Sequence, residues 1–91
     1  MAAGNVYTIR ISRECRKSIG KAPQHIKEAV DDAFAQLALN PYSGANIKPL
    51  AGKRKGYYRY RLGSYRLIYR IDQANIVVLA IDFGSRGDIY K

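Results

Sequence analysis

Tyr57-Tyr58-Arg59-Tyr60-Arg61-Leu62-Gly63-Ser64-Tyr65-Arg66-Leu67-Ile68-Tyr69-Arg70 is the stretch on which the fold turns. Two runs rich in tyrosine and aliphatic residues flank a Gly-Ser pair. Such runs read as strands, Tyr57–Leu62 and Tyr65–Asp72, and the pair between them reads as a two-residue hairpin turn of type II′, with glycine at the first central position. A turn of that length fixes the pairing: Leu62 faces Tyr65, Arg61 faces Arg66, Tyr60 faces Leu67, Arg59 faces Ile68 and Tyr58 faces Tyr69. Opposed residues share a face of the sheet and successive residues alternate. One face is therefore Tyr58, Tyr60, Leu62, Tyr65, Leu67 and Tyr69, an aromatic wall. The other is Tyr57, Arg59, Arg61, Arg66, Ile68 and Arg70.

The flanking segments supply what packs on that wall. Val6–Ile11 alternates with Tyr7, Ile9 and Ile11 on one side and reads as a half-buried strand. Ser12 is placed to cap a short helix ending at Gly20. Pro23 suits the first turn of a second helix, which carries Ile26, Ala29, Val30, Ala33, Phe34 and Leu37 at three-and-four spacing and stops at Asn40-Pro41. Residues 41–56 read as a loop anchored by Ile47 and Leu50, with Lys53-Arg54-Lys55 at its end. Asn75–Asp82 is almost wholly apolar and reads as a central strand buried on both faces, joined to the hairpin by a tight turn at Asp72–Asn75; a four-residue connection places Val77, Leu79 and Ile81 on the arginine face, part of which must then be covered. A last short strand is expected at Asp88–Tyr90. The fold class is α+β: two N-terminal helices on a twisted, mainly antiparallel sheet of four to five strands.

Length and composition bound the function. A chain of 91 residues fits one domain, residues 1–91, with a thin core. No apolar run approaches the roughly 20 residues of a membrane helix, and residues 1–5 lack the basic head and apolar stretch of a secretory signal. One cysteine and one histidine argue against a disulfide framework or a dedicated metal centre, and a reducing, cytoplasmic location is the expectation. Cys15 reads as a small packing residue, and His25, Asp31 and Asp32 as solvated helix residues.

Charge is the positive clue. Of the net +9, residues 42–71 carry eight basic residues and no acid. Such a patch favours a polyanion. Within it Arg61 directly opposes Arg66, a like-charge pair that costs up to about 1 kcal/mol in a sheet, with Arg59 one pleat away and no acid in the hairpin. A local conflict without local compensation marks a candidate functional site. Guanidinium forks match phosphate oxygens, so one reading is a phosphate-binding surface on rigid strands; the other is four arginines spreading apart into water.

The ordered set of Gly56–Arg70, Ile76–Ile81 and Gly84-Ser85-Arg86-Gly87-Asp88-Ile89-Tyr90, preceded by the strand, the helices, Asn40-Pro41 and Lys48-Pro49-Leu50-Ala51-Gly52, resembles the RelE branch of the RelE/ParE toxin superfamily over residues 5–91. The resemblance implies a type II toxin that cleaves mRNA in the ribosomal A site by attack of the RNA's own 2′-hydroxyl, leaving a 2′,3′-cyclic phosphate, without metal or cofactor. It implies catalytic roles for Arg59, Arg61, Arg66, Arg86 and Tyr90, and the remaining cations of the basic stretch, Lys53, Arg54, Lys55 and Arg70, are expected to hold RNA and ribosome. Arg86 and Tyr90 rest on the resemblance alone. The implied partners are a cognate antitoxin, the ribosome and mRNA; DNA is reached only through the antitoxin, and no membrane is involved. Well-known members have lysine where Arg59 and Arg61 stand. Arginine is a poor proton acceptor, so the base is expected to be Tyr90, or Lys53 or Lys55 reaching in from the loop. The alternative within the superfamily is a ParE-like poison of DNA gyrase that acts by protein binding.

Overall fold

The structure, a computed structural model, describes residues 6–85. The elements are β1 (Thr8–Ile11), α1 (Arg13–Gly20), α2 (Gln24–Leu39), β2 (Ile47–Pro49), a 3₁₀ turn (Gly52–Arg54), β3 (Tyr57–Leu62), β4 (Tyr65–Asp72) and β5 (Val77–Ser85). They form two helices on a five-stranded sheet of order β1-β5-β4-β3-β2. Among the described residues only the β1–β5 pair is parallel. The segment expected as a strand at Asp88–Tyr90 lies outside the described residues.

Local chemistry sets the helix ends. Ser12 caps α1 by accepting from the Cys15 amide at 3.1 Å, and its hydroxyl donates to the Ile81 carbonyl at 2.7 Å. One residue thus starts the helix and ties the β1–α1 corner to β5. Pro23 stands at the N-cap of α2, just before its first turn, where its carbonyl accepts from Ile26 and Lys27 at 3.0 Å each. Asn40 is extended and ends the helix, and the buried Pro41 carbonyl accepts the Tyr69 hydroxyl at 2.7 Å.

The expected stripe of α2 is the one buried: Ile26, Val30, Ala33 and Leu37 join Tyr60, Leu62, Leu67, Tyr69, Val78, Ala80 and Phe83 in one core cluster, with Ala29, Phe34, Ile47, Tyr58 and Tyr65 packed against it. The Tyr60 hydroxyl donates to Gln36 at 2.9 Å, pinning α2 to β3. Cys15 is fully buried, and burial first, then the Asp82 charge, push its thiol up to about 12. It packs and does not react. His25, Asp31 and Asp32 are exposed.

Two elements differ from the sequence reading. Residues 47–49, read as loop, form the edge strand β2, which pairs Ile47 with Tyr60, Lys48 with Arg59 and Pro49 with Tyr58. Proline within a three-residue run hides a strand, and only an edge tolerates it. The third strand of the sequence reading, β5, starts later and runs further than Asn75–Asp82. Asp72 accepts from the Asn75 amide at 3.1 Å and its side chain at 2.9 Å, which holds the Asp72 carboxyl below its usual range. That closed turn delays the strand until Val77. β5 carries a bulge: Ile68 pairs with Asp82 and Tyr69 with Ala80, so Ile81 is the extra residue.

Candidate functional site

The β3–β4 register is the one the Gly-Ser turn dictates, residue for residue, and it extends to Tyr57 opposite Arg70. Gly63 has φ +60°, while among the described residues only Ile76 is a non-glycine with positive φ. One positive φ followed by a negative one fits the type II′ turn, whose twist matches that of the strands. Because Tyr60, Leu62, Leu67 and Tyr69 lie in the core cluster, alternation sends Arg59, Arg61, Arg66 and Arg70 to the opposite, outer face.

Beside a two-residue turn the first pair is hydrogen-bonded and the next is not, which makes Arg61–Arg66 a non-hydrogen-bonded pair with Cα atoms about 4.5 Å apart. The Arg61 amide accordingly points away from β4 and donates to the Asn46 carbonyl at 2.9 Å. This is the closest approach two opposed side chains can have in a sheet. Arg61 is nevertheless exposed and Arg66 is only 8% exposed. Arg59 is half-buried, and its Nε is fully enclosed without a hydrogen-bond partner. Ile68, between them on β4, is wholly buried yet stands outside the core cluster. The outer face therefore has an apolar floor ringed by guanidinium groups.

Among the described residues no carboxylate pairs with Arg59, Arg61 or Arg66. Asp82 is the acid that register would bring nearest, opposite Ile68. Its carboxylate accepts the Phe83 amide at 3.0 Å, and it lines a cleft of about 320 Å³ with Ser18, Lys21 and Tyr65. Arg70 is exposed further along β4, where its charge is felt by Asp72.

Lys53 and Arg54 lie in the 3₁₀ turn and Lys55 follows it. The turn joins β2 to β3 beyond Tyr57, whose carbonyl accepts the Leu50 amide at 2.9 Å. It sits at the end of β3 opposite the Gly-Ser bend, about 13 Å along the strand from Arg61. Arg86 and Tyr90 lie outside the described residues. Two basic residues that the sequence reading left out join the outer face: Lys48, across from Arg59, and Arg10, in one row with Leu79 and Arg70. Recognising residues 47–49 as a strand would have found the first. Among the described residues no three His, Cys, Asp or Glu side chains cluster so as to hold a metal ion, and no helix is long and apolar enough to cross a membrane.

Residues 9–90 match the family described as ParE toxin of type II toxin-antitoxin system, parDE. The chain is 36% identical over 86 residues to Toxin RelG of Mycobacterium tuberculosis, covering 93% of this chain and 97% of the relative. The toxin–antitoxin complex RelBE2 of the same organism contains a chain with 34% identity and a TM-score of 0.78, over 92% of this chain and 95% of that one. The archaeal RelE–RelB complex of Pyrococcus horikoshii shares the fold, with a TM-score of 0.79 at 24% identity over 91% of this chain and 98% of that one. The arginine face thus sits on a RelE-like fold, and the chain belongs to the RelE/ParE superfamily as the toxin of a type II toxin–antitoxin system.

Proposed function

We propose that this toxin is a ribosome-dependent endoribonuclease that cleaves mRNA in the A site through the 2′-hydroxyl, arresting translation in the cytoplasm. The observation that carries the reading is the outer face of the hairpin: Arg59, Arg61 and Arg66 on one surface, unpaired with any described carboxylate, one of them with an enclosed Nε that lacks an acceptor. A buried donor without a partner costs roughly 1–3 kcal/mol.

In this reading the 2′-oxygen attacks phosphorus, the bond to the 5′-oxygen breaks, and a cyclic phosphate remains. Arg59, Arg61, Arg66 and Arg86 stabilise the pentacoordinate phosphorane, each donor contributing on the order of 10²–10³ in rate. Tyr90 takes the 2′-hydroxyl proton. The arginines supply the electrostatic work a metal would otherwise do, so the reaction runs without one. Lys53, Arg54, Lys55 and Arg70 extend the cationic strip along the RNA and ribosome, and the ribosome aligns the reacting groups. The antitoxin silences the toxin with an acidic or amphipathic segment laid over the arginines and the apolar floor. DNA is contacted only through that partner.

A second reading is favoured by one finding: the matching family is described by its ParE members. A ParE-like gyrase poison acts by protein binding and needs no arginine cluster. Primer extension on mRNA from a translating extract separates the two. Cuts within ribosome-occupied codons, lost in Arg66→Ala and Arg66→Gln, support the nuclease. Intact mRNA with trapped gyrase–DNA complexes supports the poison, and undiminished growth arrest by both Arg66 variants rules the nuclease mechanism out.

A further inference from the structure

We propose that Lys48 on the edge strand β2 is the general acid of the cleavage, delivering its proton to the departing 5′-oxygen. The inference rests on the nuclease reading above. Every strand arginine on the outer face is a fixed cation: guanidinium stabilises charge but does not surrender a proton. Breaking the bond to the 5′-oxygen needs a proton for the alkoxide that leaves. Among the described residues, Lys48 is the one lysine the strands place on this face.

Two features fix that placement. Ile47 packs against the core cluster, so the next residue points to the other side of the sheet. Lys48 is also the direct partner of Arg59, and opposed residues share a face. Its side chain is exposed. The charged and titratable groups facing it from β3 are Arg59 directly and Arg61 and Tyr57 diagonally. No acid lies among them, so among the described residues no carboxylate on β3 holds the ammonium away from substrate.

The strand order gives the geometry of the displacement. β3 lies between β2 and β4. A phosphate held over Arg59 and Arg61 has Lys48 on one flank and Arg66 on the other, the outer strands being about 9.6 Å apart. An in-line reaction needs attacking and leaving oxygens on opposite sides of phosphorus. With the leaving oxygen on the β2 flank, Lys48 reaches it from the adjacent strand, roughly 4.8 Å from β3. Lys53 and Lys55 are displaced along the strand to the far end of β3 and do not share this position. The 2′-hydroxyl proton goes to the base, the phosphorus–oxygen bond electrons go to the 5′-oxygen, and the Lys48 ammonium proton completes the 5′-hydroxyl product.

The test uses purified full-length toxin and ribosomes programmed with one A-site codon, in RNA carrying either the natural 5′-oxygen or a bridging 5′-sulfur at the scissile position. A thiolate departs without a proton. Lys48→Arg and Lys48→Gln are expected to cleave the oxygen substrate at least about 10²-fold more slowly than wild type and the sulfur substrate within a few-fold of it. Oxygen cleavage by Lys48→Arg at the wild-type rate overturns the assignment. So does an equal deficit on both substrates, which signifies RNA positioning alone. Wild-type toxin that cuts neither substrate removes the nuclease reading itself, and this assignment with it.

Discussion

Arg61→Gln should produce a toxin that is more stable and nearly inactive. Arg61 and Arg66 are a directly opposed, non-hydrogen-bonded pair with no described carboxylate between them. Two guanidinium charges at a separation of about 7 Å would repel by about 0.6 kcal/mol at the dielectric of water and about 2.4 kcal/mol at an effective dielectric of 20. Arg61 is exposed while Arg66 is 8% exposed, so the pair falls toward the lower figure, about 1 kcal/mol. For a domain of this size that is a Tm gain of roughly 4–8 °C. Thermal unfolding should be followed at low ionic strength and again in 1 M NaCl, where the Debye length shrinks to about 3 Å and most of the gain should vanish. Arg61→Lys keeps the charge and should leave Tm in place, while mRNA cleavage by Arg61→Gln should drop about 10²-fold or more. An unchanged or lower Tm for Arg61→Gln at low salt would refute the argument. A gain that survives 1 M salt would also refute it, because it would not be electrostatic.

Two further outcomes test the frame around the site. Gly63→Ala places a side chain at φ +60° and should cost about 1–2 kcal/mol, read as a lower urea midpoint with unchanged slope; no loss would mean the bend is not the type II′ turn described. The Cys15 thiol, pushed up to about 12 from 9.0, should resist alkylation at pH 8 in the native chain and react once unfolded. Between those two values the unfolded state releases a proton the folded state keeps, so stability falls as pH rises above about 9, by up to about 1.4 kcal/mol per pH unit. The decline should be shallower in Cys15→Ala, and a wild-type stability that is flat to pH 10.5 contradicts the assignment.

The hairpin was legible because a two-residue turn leaves one register available, and register decides faces. The α2 stripe and the capping role of Ser12 were legible for the same kind of reason: each follows from spacing within one element. β2 was not, because Pro49 and Lys48 carry no strand preference; that segment is a strand only because β3 presents it with unpaired backbone groups, as the Asn46 carbonyl meeting the Arg61 amide illustrates. The bulge was equally out of reach. Alternation alone sends Leu79 and Ile81 outward and Asp82 inward, whereas the structure inserts Ile81 as an extra residue and sets Asp82 opposite Ile68. Both omissions bear on the candidate site. One hid a lysine on the arginine face, and the other hid where the nearest acid falls in the register.

A surface that repels itself internally is one that an acidic partner stabilises, which yields a last prediction about the complex. Nothing among the described residues relieves Arg59, Arg61 and Arg66, and Ile68, Leu79 and Val77 give the same face an apolar floor. An antitoxin segment combining carboxylates with aliphatic side chains would satisfy both features. At a free antitoxin concentration 100 times its Kd the folded toxin gains about 2.7 kcal/mol, roughly 10–20 °C in Tm by the scaling for small domains. That gain should shrink steeply with salt, more so than for a purely apolar interface. Arginine modification by phenylglyoxal, mapped by mass spectrometry, reads the location directly: the exposed Arg61 should become protected in the complex. Should Arg61 remain as reactive in the silent complex as in the free toxin, inhibition would proceed by bulk that bars the ribosome, and the arginine face would not be the antitoxin's seat.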